Sequence, residues 1–202
     1  MEGNKLNKHR PFHLYDGHTY FLTGRCYKAV NYFYNDERKE MFQNKLGEIS
    51  KELNIGIFAW VILNNHYYLI FRLDKTSGVT SASLSSDKQD KLALVIPQQR
   101  KLVKFVTKLH SITSKMCNEM DQTPGRQIWY QYFDYCIRNK ADFWKHFNYI
   151  IKNPFKHGLV KSLEEAFYYK YSSNSVWFKR FGVEGVNESF IKYPVEEVFV
   201  DD

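Results

Sequence analysis

Cysteine is scarce in this chain of 202 residues. Its three cysteines, Cys26, Cys117 and Cys136, are odd in number and have no CxxC spacing. That pattern argues against a disulfide framework and against a zinc cluster, and it fits a reducing cytoplasm. Long apolar runs are also missing. No window approaches the ~20 apolar residues a membrane-spanning helix needs. The first ten residues, MEGNKLNKHR, lack an apolar signal core. The expectation is a cytoplasmic protein with no membrane partner. No internal repeat is present. Acidic residues are in the minority, 22 against 29 Lys and Arg, for a net charge of +7. Four of those carboxylates, Glu196, Glu197, Asp201 and Asp202, fall in the last seven residues, so the preceding chain carries +11.

What is abundant is aromatic. Fifteen Tyr and sixteen Phe help bring the aromatic share to 17%, within a 44% apolar total that is enough for a real core. A basic, ring-rich surface suits nucleic acid, since Lys and Arg meet phosphates and flat rings stack on unpaired bases. The plainer reading is a soluble protein with a basic surface and a Tyr-rich core, because charge speaks to partners and not to fold. The length suits one domain with short appendages.

The longest apolar stretch is IFAWVILNNHYYLIFRL, residues 57–73. It reads as two strands joined by a tight Asn64-Asn65 turn, a pair that tolerates positive φ. Pairing across the turn sets Leu63 opposite His66, Ile62 opposite Tyr67 and Val61 opposite Tyr68. Alternation then puts His66, Tyr68, Ile70 and Arg72 on one face. Tyr67, Leu69, Phe71 and Leu73 take the other face with Phe58, Trp60 and Ile62. The second set is the more apolar and is expected to pack on helices, which leaves the first face able to hold a site.

Around this hairpin the elements alternate. A strand is expected from His18, where Tyr20, Leu22 and Gly24 alternate with Phe21, Thr23 and Arg25. Asn35 or Asp36 can cap a helix with the stripe Phe42, Leu46, Ile49 and Leu53. A Ser-rich run from Asp74 to Asp90 reads as a mobile loop, and a helix is expected to begin near Pro97. Its buried stripe is Leu102, Phe105, Val106, Leu109, Ile112 and Met116. Lys101, Lys104, Lys108 and Lys115 form a basic stripe beside it, either a solvated face or a rail for a phosphate backbone. A further strand follows over Gln127–Ile137. Asn139 can cap a helix with Phe143 and Phe147 on its stripe, which Pro154 is expected to stop. One or two helical turns surround Leu163 to Tyr169. The expected organisation is a lead-in over 1–17, one domain over 18–175 with a mobile loop at 74–96, and a C-terminal extension over 176–202. The fold class is α+β with an antiparallel sheet.

Tyr149 and Asn153 are four apart and share a helix face. Asn153 sits in the last turn, where the helix dipole favours a cation, and its amide oxygen suits a hard divalent ion. His66 is a second possible ligand. Tyr149 could then attack a phosphodiester that the metal polarises, since free Tyr, with a pKa near ~10, is a poor nucleophile at neutral pH. Each signal alone has a plain reading: a packed histidine, a core tyrosine, and an Asn-Pro helix stop.

Their order carries more. LNNHYYLIF resembles the N-H-x-H-L strand of single-tyrosine transposases of the HUH class. NYIIKNPFKHGLV resembles the Y-I-x-x-N-P-x-x-x-G-L-V segment of the REP-associated tyrosine transposases. WYQYFDYCI stands where that family has W-x-x-x-F, and YYKYSSN looks like its Y-x-x-S-S segment. The resemblance covers roughly residues 15 to 175. It implies a ferredoxin-like fold, an antiparallel sheet with helices packed on one face, acting as a homodimer. It implies a single-strand DNA endonuclease and strand transferase that cuts near DNA hairpins through a 5′-phosphotyrosine. Tyr149 would be the nucleophile, and His66 and Asn153 would hold Mg²⁺ or Mn²⁺. The basic residues Lys101, Lys104, Lys108 and Arg72 are candidates to meet DNA, and the lysine stripe fits that partner without proving it. The departure is Tyr68, which stands where the family has its second metal-binding histidine. Tyr68 could ligate weakly or through water, another residue could supply the ligand, or the protein could be a domesticated relative that binds structured or single-stranded DNA without cutting. An RNA-binding domain with base-stacking tyrosines is a third reading.

Overall fold

The computed structural model describes residues 18–73 and 88–195; for 88–100 it gives the helical backbone alone. The lead-in at 1–17, most of the Ser-rich run (74–87) and the acidic tail at 196–202 lie outside the described residues. Strand β1 spans Thr19–Cys26, and a single 3-10 turn follows at Tyr27–Ala29. Helix α1 is Asp36–Glu52, β2 Ile55–Ile62, β3 His66–Leu73, α2 Lys88–Met120, β4 Trp129–Cys136, α3 Lys140–Lys156, α4 Leu163–Phe167 and α5 Asn174–Lys192. The strands form one antiparallel sheet in the order β2-β3-β1-β4. The α+β class and antiparallel sheet are as expected.

The hairpin register is the one the Asn-Asn turn dictates: Ile62 pairs with Tyr67 and Val61 with Tyr68. Leu63 N–H donates to the His66 carbonyl at 2.9 Å. Further along, the pairing slips between Ile57 and Ala59. The extra residue of this bulge, Phe58, is thereby turned to the face opposite the expected one. It packs edge-on against Phe143, 6.3 Å between ring centres, with the Arg72 guanidinium 5.6 Å from its own ring.

Helices were expected on one face; they cover both. Tyr20, Leu22, Tyr67, Leu69 and Phe71 pack against Phe42, Leu46 and Ile49 of α1 and Leu102, Phe105 and Leu109 of α2. Phe21, Val61, Tyr68 and Ile70 pack against Phe147, Tyr149, Ile150 and Ile151 of α3, Phe167 of α4 and Val186 of α5. The face that carries His66 is therefore roofed by α3. Helices α1 and α3 start where their caps predict: Asn35 Oδ1 accepts from Arg38 N–H at 3.1 Å, and Asn139 Oδ1 from Asp142 N–H at 2.9 Å.

Three boundaries differ from expectation. Helix α2 begins at Lys88, nine residues before Pro97, so 88–96 is helix and not loop; LysGlnAspLysLeuAla is rich in good helix formers. Pro154 does not stop α3, which runs on to Lys156 with Pro154 inside. The proline removes one ladder hydrogen bond, its own to the Ile150 carbonyl, and the bonding resumes beyond it, with His157 N–H donating to the Asn153 carbonyl at 3.0 Å. The C-terminal extension is mostly the nineteen-residue α5, broken at Gly182, where φ is 70°. Asn148 of α3 holds its far end, donating to the carbonyls of Ser189 and Tyr193 at 2.9 Å each. The Tyr169–Ser173 segment lies along the outer edge of β2. Ile62 N–H donates to Tyr171 O, Ser173 N–H to Trp60 O, and Trp60 N–H to Ser173 Oγ, all at 2.9 Å. Otherwise exposed edge groups are thus satisfied.

Candidate active site

The site forms where β3 leaves the Asn64-Asn65 turn beneath the C-terminal half of α3. His66 and Tyr68 are alternate residues of a strand and point to one face. Tyr149, Asn153 and His157 recur every four residues and share one helix stripe. The two rows meet. The phenol oxygens of Tyr68 and Tyr149 are 3.1 Å apart, with the rings edge to face at 5.1 Å. The imidazoles of His66 and His157 lie 4.6 Å apart between ring centres. His66 and Tyr68 are in edge contact at 5.1 Å.

The turn itself is braced. Cys26 N–H donates to Asn65 O at 2.7 Å and Phe33 N–H to Asn64 O at 2.8 Å. The Asn65 side chain donates through Nδ2 to the Ala29 carbonyl at 2.9 Å. Lys28 and Ala29 adopt left-handed φ values of 53° and 54° to bring that carbonyl around. With its amide so oriented, Asn65 turns Oδ1 to His66 Nδ1 at 2.5 Å. An accepting oxygen there selects the neutral tautomer with its proton on Nδ1, which leaves the lone pair on Nε2. Metal-binding histidines are oriented in the same way.

On the helix, Asn153 is fully buried and donates through Nδ2 to the Tyr149 carbonyl at 2.6 Å. Its Oδ1 is buried without a hydrogen-bond partner, an orphaned acceptor of the kind a bound cation would satisfy. Among the described residues no three His, Cys, Asp or Glu side chains cluster as a metal site. A divalent ion here would draw on imidazole nitrogen and amide oxygen together. Of the two expected ions, that donor set suits Mn²⁺ better than Mg²⁺, because imidazole favours transition metals.

Tyr149 is only 2% exposed. Phe21 stacks on Tyr68 at 5.5 Å and meets Tyr149 edge-on at 6.3 Å, and the Lys156 ammonium stands 5.6 Å from the Tyr149 ring. Behind Phe21, His146 stacks on Tyr135 at 4.9 Å, and its Nδ1 lies 2.8 Å from the Asp142 carbonyl. Burial lowers its pKa, as befits a packed neutral ring.

The structure thus brings together His66, Tyr68, Tyr149 and Asn153. It keeps the basic residues apart from them. Lys101, Lys104 and Lys108 lie on α2, in the layer across the sheet. Lys101 Nζ donates to Asn54 O at 2.9 Å, and Lys108 Nζ bonds the Glu52 carboxylate at 2.6 and 2.5 Å. That bond holds the Glu52 carboxyl below the usual carboxylate range. Arg72 shares the His66 face but stands six residues along β3, about 20 Å away at ~3.3 Å per residue. Two site residues escaped sequence reasoning. The sequence marks Asn65 only as a turn residue. His157 carried a signal in its spacing from Asn153 and Tyr149, but it lay beyond the proline expected to end the helix.

No family model matches the chain, and no curated protein sequence does. Among solved structures it is similar to a REP-associated tyrosine transposase bound to a REP hairpin, at 18% identity and a TM-score of 0.54. The likeness covers 98% of this chain and 96% of that one. A candidate transposase from Deinococcus radiodurans R1 overlaps 72% of this chain and 96% of its own at 14% identity, but its TM-score of 0.39 is too low for any inference. Among the described residues no helix is long and apolar enough to cross a membrane. Across nearly the whole of both chains, what this protein has in common with the hairpin-bound transposase is its fold: the chain has the fold of a REP-associated tyrosine transposase.

Proposed function

We propose that this chain is a relative of the REP-associated tyrosine transposases and acts as a single-strand DNA endonuclease and strand transferase near DNA hairpins. The observation that carries the reading is the convergence of His66, Asn153 and Tyr149 at one buried site, on the segments whose motifs match that family. The Tyr149 hydroxyl attacks the scissile phosphorus. A phosphotyrosine bond to the 5′ side forms as the bond to the 3′ oxygen breaks. The phenol proton passes to water, and water returns a proton to the departing 3′ oxygen, so that strand leaves as a 3′-hydroxyl. A divalent ion, Mg²⁺ or Mn²⁺, held by His66 and Asn153 with Tyr68 beside it, would polarise the phosphodiester. Asn65 orients His66 for that task. Lys101, Lys104, Lys108 and Arg72 contribute charge to DNA binding, and the homodimer expected from the resemblance is part of this reading. Incubation of the protein with hairpin-bearing oligonucleotides and Mn²⁺ should yield a covalent adduct on a denaturing gel. The adduct should vanish in Tyr149→Phe. No adduct across a range of hairpins and metals would overturn the reading, and sedimentation in solution checks the dimer.

A second reading is favoured by one observation. Tyr149 is buried, and its hydroxyl is bonded to Tyr68, the residue that stands in place of a metal-binding histidine. In this reading the protein binds structured or single-stranded DNA without cutting it. Binding would then be salt-sensitive, survive Tyr149→Phe, and weaken when Lys101, Lys104 and Lys108 become Ala.

A further inference from the structure

We propose that His157 supplies the imidazole that Tyr68 does not, so that the divalent-ion site of this chain consists of His66, Asn153 and His157. The proposal rests on the metal-dependent reading above and names its missing ligand.

Three observations carry it. The first is spacing. With a metal–nitrogen distance of ~2.1 Å and about 1.1 Å more to the ring centre, two imidazoles bound cis to one ion have centres ~4.5–5.2 Å apart. The rings of His66 and His157 are 4.6 Å apart and inclined at 70°. The second is the helix stripe. Asn153 and His157 are separated by four residues, so both side chains leave α3 on the side that faces β3. The Asn153 Oδ1 is the buried acceptor without a partner. His157 is the residue that caps α3, its N–H donating to the Asn153 carbonyl at 3.0 Å, and the dipole of a helix C-terminus favours a cation there. The third is the disposition of Tyr68. Its phenol oxygen lies 3.1 Å from that of Tyr149, so its polar end meets the nucleophile.

The site has therefore moved along the helix. Where two histidines two apart on a strand would bind an ion from one side, this chain takes one imidazole from β3 and one from the end of α3. The vacated strand position holds a phenol that contacts the nucleophile.

Mn²⁺ titration of the full chain without DNA, followed by electron paramagnetic resonance, tests this apart from any cleavage. Loss of an outer partner of a metal-bound histidine already costs about 10–100-fold in affinity. His157→Gln and His66→Gln should therefore each weaken binding at least about tenfold, while Tyr68→Phe should stay within about twofold. Tyr68→His placed in the His157→Gln chain should recover most of the loss. Should His157→Gln fail to fold, electron spin echo envelope modulation of Mn²⁺ bound to the unmutated protein, which counts coordinated imidazole nitrogens, should show two. Unchanged binding in His157→Gln, a single coordinated imidazole, or no Mn²⁺ binding by the unmutated chain would overturn the proposal. Loss of binding in His157→Gln from a protein that forms no adduct would uphold this site and overturn the cleavage reading alone.

Discussion

The phenol of Tyr149 meets the phenol of Tyr68 at 3.1 Å with Phe21 packed against both rings, so the proposed nucleophile and the residue that breaks the family pattern are direct partners. Tyr68→Phe removes one half of that hydrogen bond and leaves a buried hydroxyl behind. The expected cost is ~1–2 kcal/mol in stability, read as a shift in the urea midpoint at constant slope. Tyr68→His is the more telling change for chemistry. If Tyr68 only restrains Tyr149, the histidine variant will raise the rate of adduct formation; an unchanged rate would mean that Tyr68 does not limit the site.

A second histidine sets an acid limit on the fold. His110 of α2 stacks on Trp129 at 4.4 Å, and its Nε2 is 2.9 Å from the Tyr67 hydroxyl. Burial pushes its pKa from 6.5 down to about 3. Between those values the unfolded chain binds a proton that the folded chain refuses, so stability falls as pH drops from 6.5 toward 3. Denaturation midpoints at pH 7 and pH 5 should differ, and the difference should shrink in His110→Phe. An unaltered difference would assign the effect to other groups, with His146 the first to examine, since burial lowers its pKa too.

Gly24 faces Tyr67 across β1 and β3, and a Cβ there would stand 2.4 Å from Tyr67 Cε1. The tyrosine cannot yield, because Phe42 and Trp129 pack on it at 4.9 and 5.4 Å. Gly24→Ala should destabilise by ~1–3 kcal/mol. The penalty should largely disappear in a Tyr67→Ala background, as expected for side chains in contact. Thermal melts of the four chains provide the check.

Arg38, 4% exposed, is paired with Asp121 and also donates to the Tyr32 carbonyl at 3.2 Å. Arg38 reaches both carboxylate oxygens of Asp121, and Arg126 shares Oδ2 with it. These hydrogen bonds, from Arg38 first and then Arg126, hold the Asp121 carboxyl below its ordinary value. Its contribution is therefore present above pH ~4 and is lost as pH falls through the folded-state pKa. Asp121→Asn should cost ~1–3 kcal/mol at neutral pH, because it strands a buried guanidinium; partial solvent access to Asp121 keeps the figure at that level. Guanidinium titration at pH 7 measures it.

Much of the arrangement was readable from local chemistry. The Asn64-Asn65 turn dictates one register, and that register decides that His66 and Tyr68 share a face. Asn35 and Asn139 cap the helices they precede. What escaped has physical reasons. A bulge at Phe58 is an extra residue that alternation alone does not reveal. Helix α5 breaks at Gly182 and spreads its aromatic residues over several neighbours, so no clean stripe marks it. Pro97 and Pro154 suggest helix boundaries, yet both sit inside helices, and the helix continued beyond Pro154 is what brings His157 to the site. The contact between two histidines ninety-one positions apart is a property of packing, and neither segment signals it alone.

Tyr149, Asn153 and His157 ride on one helix, and that helix is anchored through Asn148 to the end of α5. A rigid displacement of α3 that uncovered Tyr149 would also carry two of the three proposed metal ligands away from His66. Opening by helix motion and holding an ion would then oppose each other. In the proposed reaction, exposure of Tyr149 to a DNA strand would instead come from rotation of its own side chain, after its bond to Tyr68 is released. An ion that pins α3 to β3 would leave that small rotation as the gate for the reaction.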